Sequence, residues 1–147
     1  MTRNSSKICI LGLGYVGLPL AIEFSKKYKV VGFDINEKRV KELNASADET
    51  SQVESDELSE AIQSGLILTS SENTLNDCNI FIVTVPTPID DNHLPDLGPL
   101  IAASSTIGKY LKKGDFVIYE STTYPGCTEE DCVPVLEKIR GLKMNND

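Results

Sequence analysis

Three glycines and one aspartate carry the chemistry most legible in this chain. Gly12-Leu13-Gly14-Tyr15-Val16-Gly17 has the spacing G-x-G-x-x-G, which binds phosphate when it joins a strand to a helix. In that setting Gly12 permits the tight turn, Gly14 lets a pyrophosphate approach the backbone, and Gly17 lets helix and sheet pack closely. The first turn of the helix adds unpaired amides and partial positive charge. Asp34 falls about 20 residues beyond the turn, where a carboxylate accepts hydrogen bonds from the hydroxyls of an adenosine ribose. That carboxylate repels a 2'-phosphate, so the pattern favours NAD over NADP. Arg39 either reaches the ribose or adenine or lies as a surface arginine on a helix. Tyr15 either covers the cofactor or is a packed surface aromatic, and Val16 completes the turn. Glycines alone could build a mere crossover; the acid that follows argues for a ligand.

The elements around these residues alternate. The spacing predicts a strand over 7–11 and a helix from Val16, with Val16, Leu20, Ala21, Phe24 and Lys27 on one side and Pro19 in its first turn. A strand follows at 29–35, then a helix over 36–44 capped by Asn36 with Val40 and Leu43 inward. A polar loop over 44–57 leads to a helix at 58–65, a strand at 66–70 and a turn or short helix at 72–77. A continuous apolar strand is expected at 79–88 and a helix over 100–114 closed by Gly114. A strand at 115–121, a turn at Pro125-Gly126 and a helix over 127–141 complete the pattern. Strands this apolar, alternating with helices, describe an α/β fold: a doubly wound, mostly parallel sheet covered on both faces, the three-layer α/β/α Rossmann arrangement. Residues 1–147 are read as one nucleotide-binding domain that stops before its last strand or strands.

Charge and composition narrow the partners. The chain has 22 acidic and 14 basic residues for a net charge of -8, with no basic cluster to meet a nucleic acid backbone. The acidic run over 47–60 is read as a solvated loop and helix face. No apolar stretch approaches the roughly 20 residues that span a bilayer, and the N-terminus lacks the pattern of a signal peptide. Four cysteines without metal-ligand spacing and a single histidine argue against a metal centre. Reduced thiols fit the cytoplasm. Cys9 is expected in the core. Cys127, at a helix start, is where a thiolate would be stabilised, yet it is read as structural. His93, in a loop with Asp90, Asp91 and Asp96, is expected to face water.

The segments ICILGLGYVGLPLA, GFDIN with Arg39, VPTPID and YESTTYPG together resemble the nucleotide-sugar 6-dehydrogenases, the UDP-glucose/GDP-mannose dehydrogenase family. Within it, the wording is most similar to members acting on UDP-N-acetylglucosamine or UDP-N-acetylgalactosamine. The resemblance implies oxidation of a sugar's C6 alcohol to a carboxylate with two NAD+, through a thiohemiacetal and a thioester on a cysteine. It also implies a central helix that builds a homodimer and a C-terminal domain that grips UDP. The family's nucleophilic cysteine, lysine and asparagine would follow the end of this sequence, so the isolated chain is expected to be inactive. Carried over by position, Gly12, Gly14 and Gly17 match the pyrophosphate turn, Asp34 the ribose acid and Arg39 its basic neighbour. Val85, Pro86 and Thr87 match the segment packed on the cofactor. Ser121 and Thr122, with Glu120 beside them, match the segment near the nicotinamide, where Thr122 supports catalysis.

Two other functions share the glycine turn and the acid. One is a different NAD-dependent dehydrogenase, of hydroxy acids or hydroxyacyl groups, which lacks the PTPID and ESTTYPG segments. The other is a stand-alone module that senses NAD or NADH without chemistry.

Overall fold

The computed structural model describes residues 6–89 and 95–145. His93, Asp90 and Asp91 lie outside the described residues. Five strands run parallel in the order β3-β2-β1-β4-β5: β1 Lys7–Leu11, β2 Lys29–Phe33, β3 Ile67–Thr69, β4 Ile80–Val83 and β5 Phe116–Tyr119. The order reverses between β1 and β4, the place where doubly wound sheets open a crevice beyond the carboxyl ends of their strands. The fold is therefore the expected Rossmann-like α/β/α sandwich.

Alternation along each strand divides the core in two. Ile8, Ile10, Val30 and Ile82 face helices α1 (Gly17–Ser25), α2 (Glu37–Asn44) and α3 (Ser55–Gln63), packing with Leu18, Ala21, Ile22, Leu43 and Leu58. Cys9, Leu11, Val31, Phe81 and Val83 face α4 (Gly98–Gly108) and α5 (Val133–Arg140), packing with Leu100, Ala103, Ile107 and Leu136. Strands buried on both faces need apolar side chains at every position, which is why they read as unbroken apolar runs.

Several boundaries differ from expectation, each for a local reason. Val16 is the N-cap of α1 and more than half exposed, and the fully buried side of that helix is Leu18, Ala21 and Ile22, with Leu20 and Phe24 half-buried. α3 begins at Ser55, three residues early, with Asp56 and Glu57 in the first turn, where the positive end of the helix dipole stabilises acids. β4 stops at Val83 because the Thr84 hydroxyl turns to the carbonyls of Leu11 and Gly12, and Pro86 and Pro88 have no N–H to give a neighbour. α4 starts at Gly98, whose N–H donates to Asp96, and ends at Gly108 rather than Gly114. The last helix opens with a π turn over Thr128–Cys132, in which the Val133 N–H reaches Thr128. Pro134 has no N–H for the carbonyl four residues back, so the ordinary ladder is interrupted there.

The acidic run holds the largest departure. Asp48 was expected in a solvated loop, yet its side chain is only 1% exposed and is bonded to buried Arg39. Arg39 itself is 9% exposed, which removes the reading of a surface arginine.

Candidate functional site

A cleft of about 790 Å³ opens over the carboxyl ends of β1, β2, β4 and β5. Of the residues singled out in the sequence, Gly12, Gly14, Tyr15, Val16, Asp34, Arg39, Val85, Pro86, Thr87, Glu120, Ser121 and Thr122 all line it, and Gly17 lies buried behind them. Segments far apart in the chain thus converge on one concavity.

The glycine turn is built for close quarters. Gly12 has φ +97°, a conformation that L side chains rarely adopt, and a Cβ there would lie 3.0 Å from the Thr84 carbonyl oxygen. A Cβ on Gly17 would fall 1.8 Å from the Gly12 carbonyl oxygen, so helix and turn touch backbone to backbone. A Cβ on Gly14, by contrast, would meet nothing within 4 Å and would project into open space beside the turn. That cradle fits a pyrophosphate laid against the backbone. Thr84 fastens the turn from behind, its hydroxyl donating to the Gly12 carbonyl at 2.8 Å.

Asp34 meets the turn directly. Its Oδ2 accepts the Leu13 N–H at 2.8 Å and its Oδ1 accepts the Asn36 N–H at 2.9 Å. Asn36 in turn caps α2 through the amides of Lys38 and Arg39. The carboxylate is half-buried and lines the cleft, with lone pairs left for hydroxyl donors. Arg39 reaches back across the turn, donating from Nε and Nη2 to the Leu13 carbonyl at 3.0 and 2.9 Å.

The other end of the cleft is held by hydroxyls. Ser121 Oγ donates to the Val85 carbonyl at 2.6 Å, and Thr87 Oγ1 donates to the Thr122 carbonyl at 2.5 Å. Glu120 is exposed, while its N–H extends the β4–β5 ladder to Val83. Cys127 and Cys132 are fully buried under α4 and β5 and do not line the cleft, in keeping with a structural role for Cys127.

Sequence reasoning missed Ile35, Thr84 and the cleft face of α4. Ile35 is 85% exposed beside Asp34, an apolar side chain with no core to enter, and that position was the available signal. Pro99, Ala102 and Thr106 of α4 line the cleft as well, but their small size has no distinctive pattern.

A parallel sheet with this order, a glycine turn at its switch point and an acid closing β2 define a dinucleotide-binding domain. The NAD-binding domain of the UDP-glucose/GDP-mannose dehydrogenase family matches residues 6–147, and the chain belongs to that family. It is 62% identical over 141 residues to the UDP-N-acetyl-D-glucosamine 6-dehydrogenase of Pseudomonas aeruginosa, and 53% identical over the same length to that of Salmonella typhi. Both matches cover 96% of this chain and 33% of the relative. Among solved structures, the UDP-D-ManNAc dehydrogenase of Pyrococcus horikoshii superimposes with a TM-score of 0.88 at 36% identity, over 95% of this chain and 34% of that one. The chain therefore spans about a third of the length of the relatives it matches. Membership of this family sets aside the hydroxy-acid and hydroxyacyl dehydrogenases.

Proposed function

We propose that the chain is the cofactor-binding part of an oxidoreductase that converts the C6 alcohol of a UDP-N-acetylhexosamine to the carboxylate of a uronic acid. The conversion removes two hydrides and adds an oxygen from water, which sets the stoichiometry at two NAD+ for each sugar. Bound NAD+ supplies the hydride acceptor. The names of the most similar relatives support the substrate class, and the Asp34 geometry carries the cofactor assignment. With Oδ2 on the Leu13 amide, the carboxylate stands where the glycine turn and β2 meet.

Gly12 and Gly17 shape the turn for close approach of the pyrophosphate, and Gly14, Tyr15 and Val16 border it with their backbone; the Gly12 N–H itself is held by the Phe33 carbonyl. Asp34 takes the ribose hydroxyls and disfavours a 2'-phosphate, with Arg39 beside it. Val85, Pro86 and Thr87 pack along the cofactor. Glu120, Ser121 and Thr122 border the nicotinamide end, where Thr122 supports the reaction. The nucleophilic cysteine, the UDP-binding domain and the surface of a homodimer belong to the remainder of a longer protein. A cytoplasmic location accords with four free cysteines, and among the described residues no helix is long and apolar enough to cross a membrane.

Calorimetric titration of this chain with NAD+, NADP+ and UDP-N-acetylglucosamine tests the reading. NAD+ should bind, NADP+ should bind at least about ten-fold more weakly, and the sugar nucleotide should give no heat. Asp34→Ala removes hydrogen bonds to a charged acceptor and should weaken NAD+ by roughly ten- to a hundred-fold. Equal affinity for NAD+ and NADP+, or an unaltered Asp34→Ala, contradicts the assignment. The isolated chain should not reduce NAD+ with UDP-N-acetylglucosamine. Turnover would relocate the nucleophile into this chain. A stand-alone sensor would bind NAD+ equally well, and is distinguished by a parent gene that ends near residue 147.

A further inference from the structure

We propose that Asp48 is a positioning residue for the dinucleotide site: through Arg39 it fixes the peptide between Leu13 and Gly14, and so aims the Gly14 N–H of the glycine turn. The proposal rests on the NAD reading above for its ligand, but its structural core is independent of it.

The relay is continuous. Asp48 Oδ1 accepts Arg39 Nη2 at 2.7 Å, and the same guanidinium donates from Nε and Nη2 to the Leu13 carbonyl. The Leu13 N–H is in turn held by Asp34 Oδ2. Leu13 is thus gripped on both sides, its amide by one acid and its carbonyl by a cation that a second acid holds. A trans peptide sets C=O and N–H antiparallel. Drawing the Leu13 carbonyl toward Arg39 therefore points the Gly14 N–H away from Arg39. That amide belongs to the glycine whose missing Cβ leaves the open cradle. A swing of the guanidinium rotates the donor with it.

Asp48 is fixed for this task. Its Oδ1 also accepts the Thr50 N–H and hydroxyl, at 3.0 and 2.7 Å. Its Oδ2 accepts the amides of Gln52 and Val53, at 2.9 and 3.1 Å. The acid thereby folds its own loop around itself and presents one oxygen to Arg39. Burial pushes the Asp48 carboxyl up, but the Thr50 hydroxyl, Arg39 and the loop amides outweigh it and bring it down to about 2. Ionised at every physiological pH, Asp48 is the counter-charge of a buried arginine whose Nη1 has no partner among the described residues. Removing such a counter-charge leaves the cation free to leave its place.

The test uses the chain with Asp48→Asn, Arg39→Ala and the double variant, read by calorimetry with NAD+ and with ADP-ribose, and by hydrogen exchange of the Arg39 Nε–H without ligand. Asp48→Asn should weaken NAD+ and ADP-ribose alike by about ten-fold. In the Arg39→Ala background it should cost less than about two-fold, because both changes break one relay. The Arg39 Nε–H should exchange faster in Asp48→Asn than in the native chain. A folded Asp48→Asn with native affinity overturns the proposal, as do single-variant effects that multiply in the double. Should Asp48→Asn not fold, Thr50→Val takes its place, since it removes the hydroxyl that orients the carboxylate. Unchanged Arg39 exchange in that variant overturns the proposal. If the native chain fails to bind NAD+, the functional reading fails, and the exchange comparison still decides whether Asp48 holds Arg39.

Discussion

Where β1 meets β2, the cleft is walled by charged groups largely withdrawn from water; where β4 and β5 exit, it is walled by hydroxyls that keep partial contact with water. At the first end Asp34, Arg39 and Asp48 form a chain of charge-assisted bonds around Leu13, with Arg39 and Asp48 almost wholly buried. At the second, Thr87 and Ser121 pin carbonyls of the facing loop while Glu120 and Thr122 stay exposed. Buried charge-assisted bonds hold a single geometry, because any alternative strands a desolvated group. Exposed hydroxyl bonds exchange with water at little cost. The β1–β2 end, proposed above for the adenosine, is therefore preorganised within this chain, and the β4–β5 end, proposed for the nicotinamide, is left adjustable. The chain spans about a third of the length of the relatives it matches.

The largest effect expected from this contrast is at Gly17. Alanine there would place a Cβ 1.8 Å from the Gly12 carbonyl oxygen and 2.4 Å from Thr84 Oγ1, and neither the turn nor the helix can withdraw without the other. Gly17→Ala should cost roughly 3 kcal/mol or more, lower the melting temperature by roughly 10 °C and weaken NAD+ by about a hundred-fold. Differential scanning calorimetry and titration read the two effects. A variant that melts like the native chain would show that the turn is softer than its contacts imply.

Acid should loosen the β1–β2 end of the cleft by a smaller amount. The Asp48 carboxyl lies at about 2 in the fold against an ordinary 3.8. A lowered value means that the unfolded chain takes up the proton first. The stabilisation is whole above about pH 4 and lost as the pH falls toward about 2. It amounts to about 2 kcal/mol. In urea titrations, Asp48→Asn should lie below the native chain by about that much at pH 6, and the gap should close on acidification. A gap constant down to pH 2 would place the group's contribution elsewhere.

How much of this was legible beforehand depended on range. The glycine turn, Asp34 and the Asn36 cap are local: their partners lie within one strand-turn-helix unit or at a fixed spacing from it, so residue type and interval sufficed. The inner strands β1, β2 and β4 were legible because both of their faces are buried. The Arg39–Asp48 bond was not, because a polar stretch such as 44–57 looks the same whether its aspartate faces water or a guanidinium nine residues away. Helix ends were misplaced where side chains beyond the helix decide them, as with Asp96 at the start of α4. The cleft residues of α4 are small and carry no distinctive pattern in the sequence. Ile35 did carry a mark, an exposed apolar residue directly after Asp34.

The smallest effect should be at the β4–β5 end. Thr87→Val keeps the shape of the side chain and removes the hydroxyl that reaches the Thr122 carbonyl. The bond is exposed and joins neutral groups, so water replaces the lost donor and about 0.5 kcal/mol of stability should go with it. NAD+ affinity should change by less than about three-fold, since the charged relay at the β1–β2 end is untouched. The same substitution in a full-length relative would act on a completed site, and there a larger fall in turnover than in NAD+ affinity is expected. If Thr87→Val instead weakened NAD+ in this chain by ten-fold or more, the two ends would be equally rigid. Preorganisation would then belong to the whole cleft and not to the charged relay around Leu13.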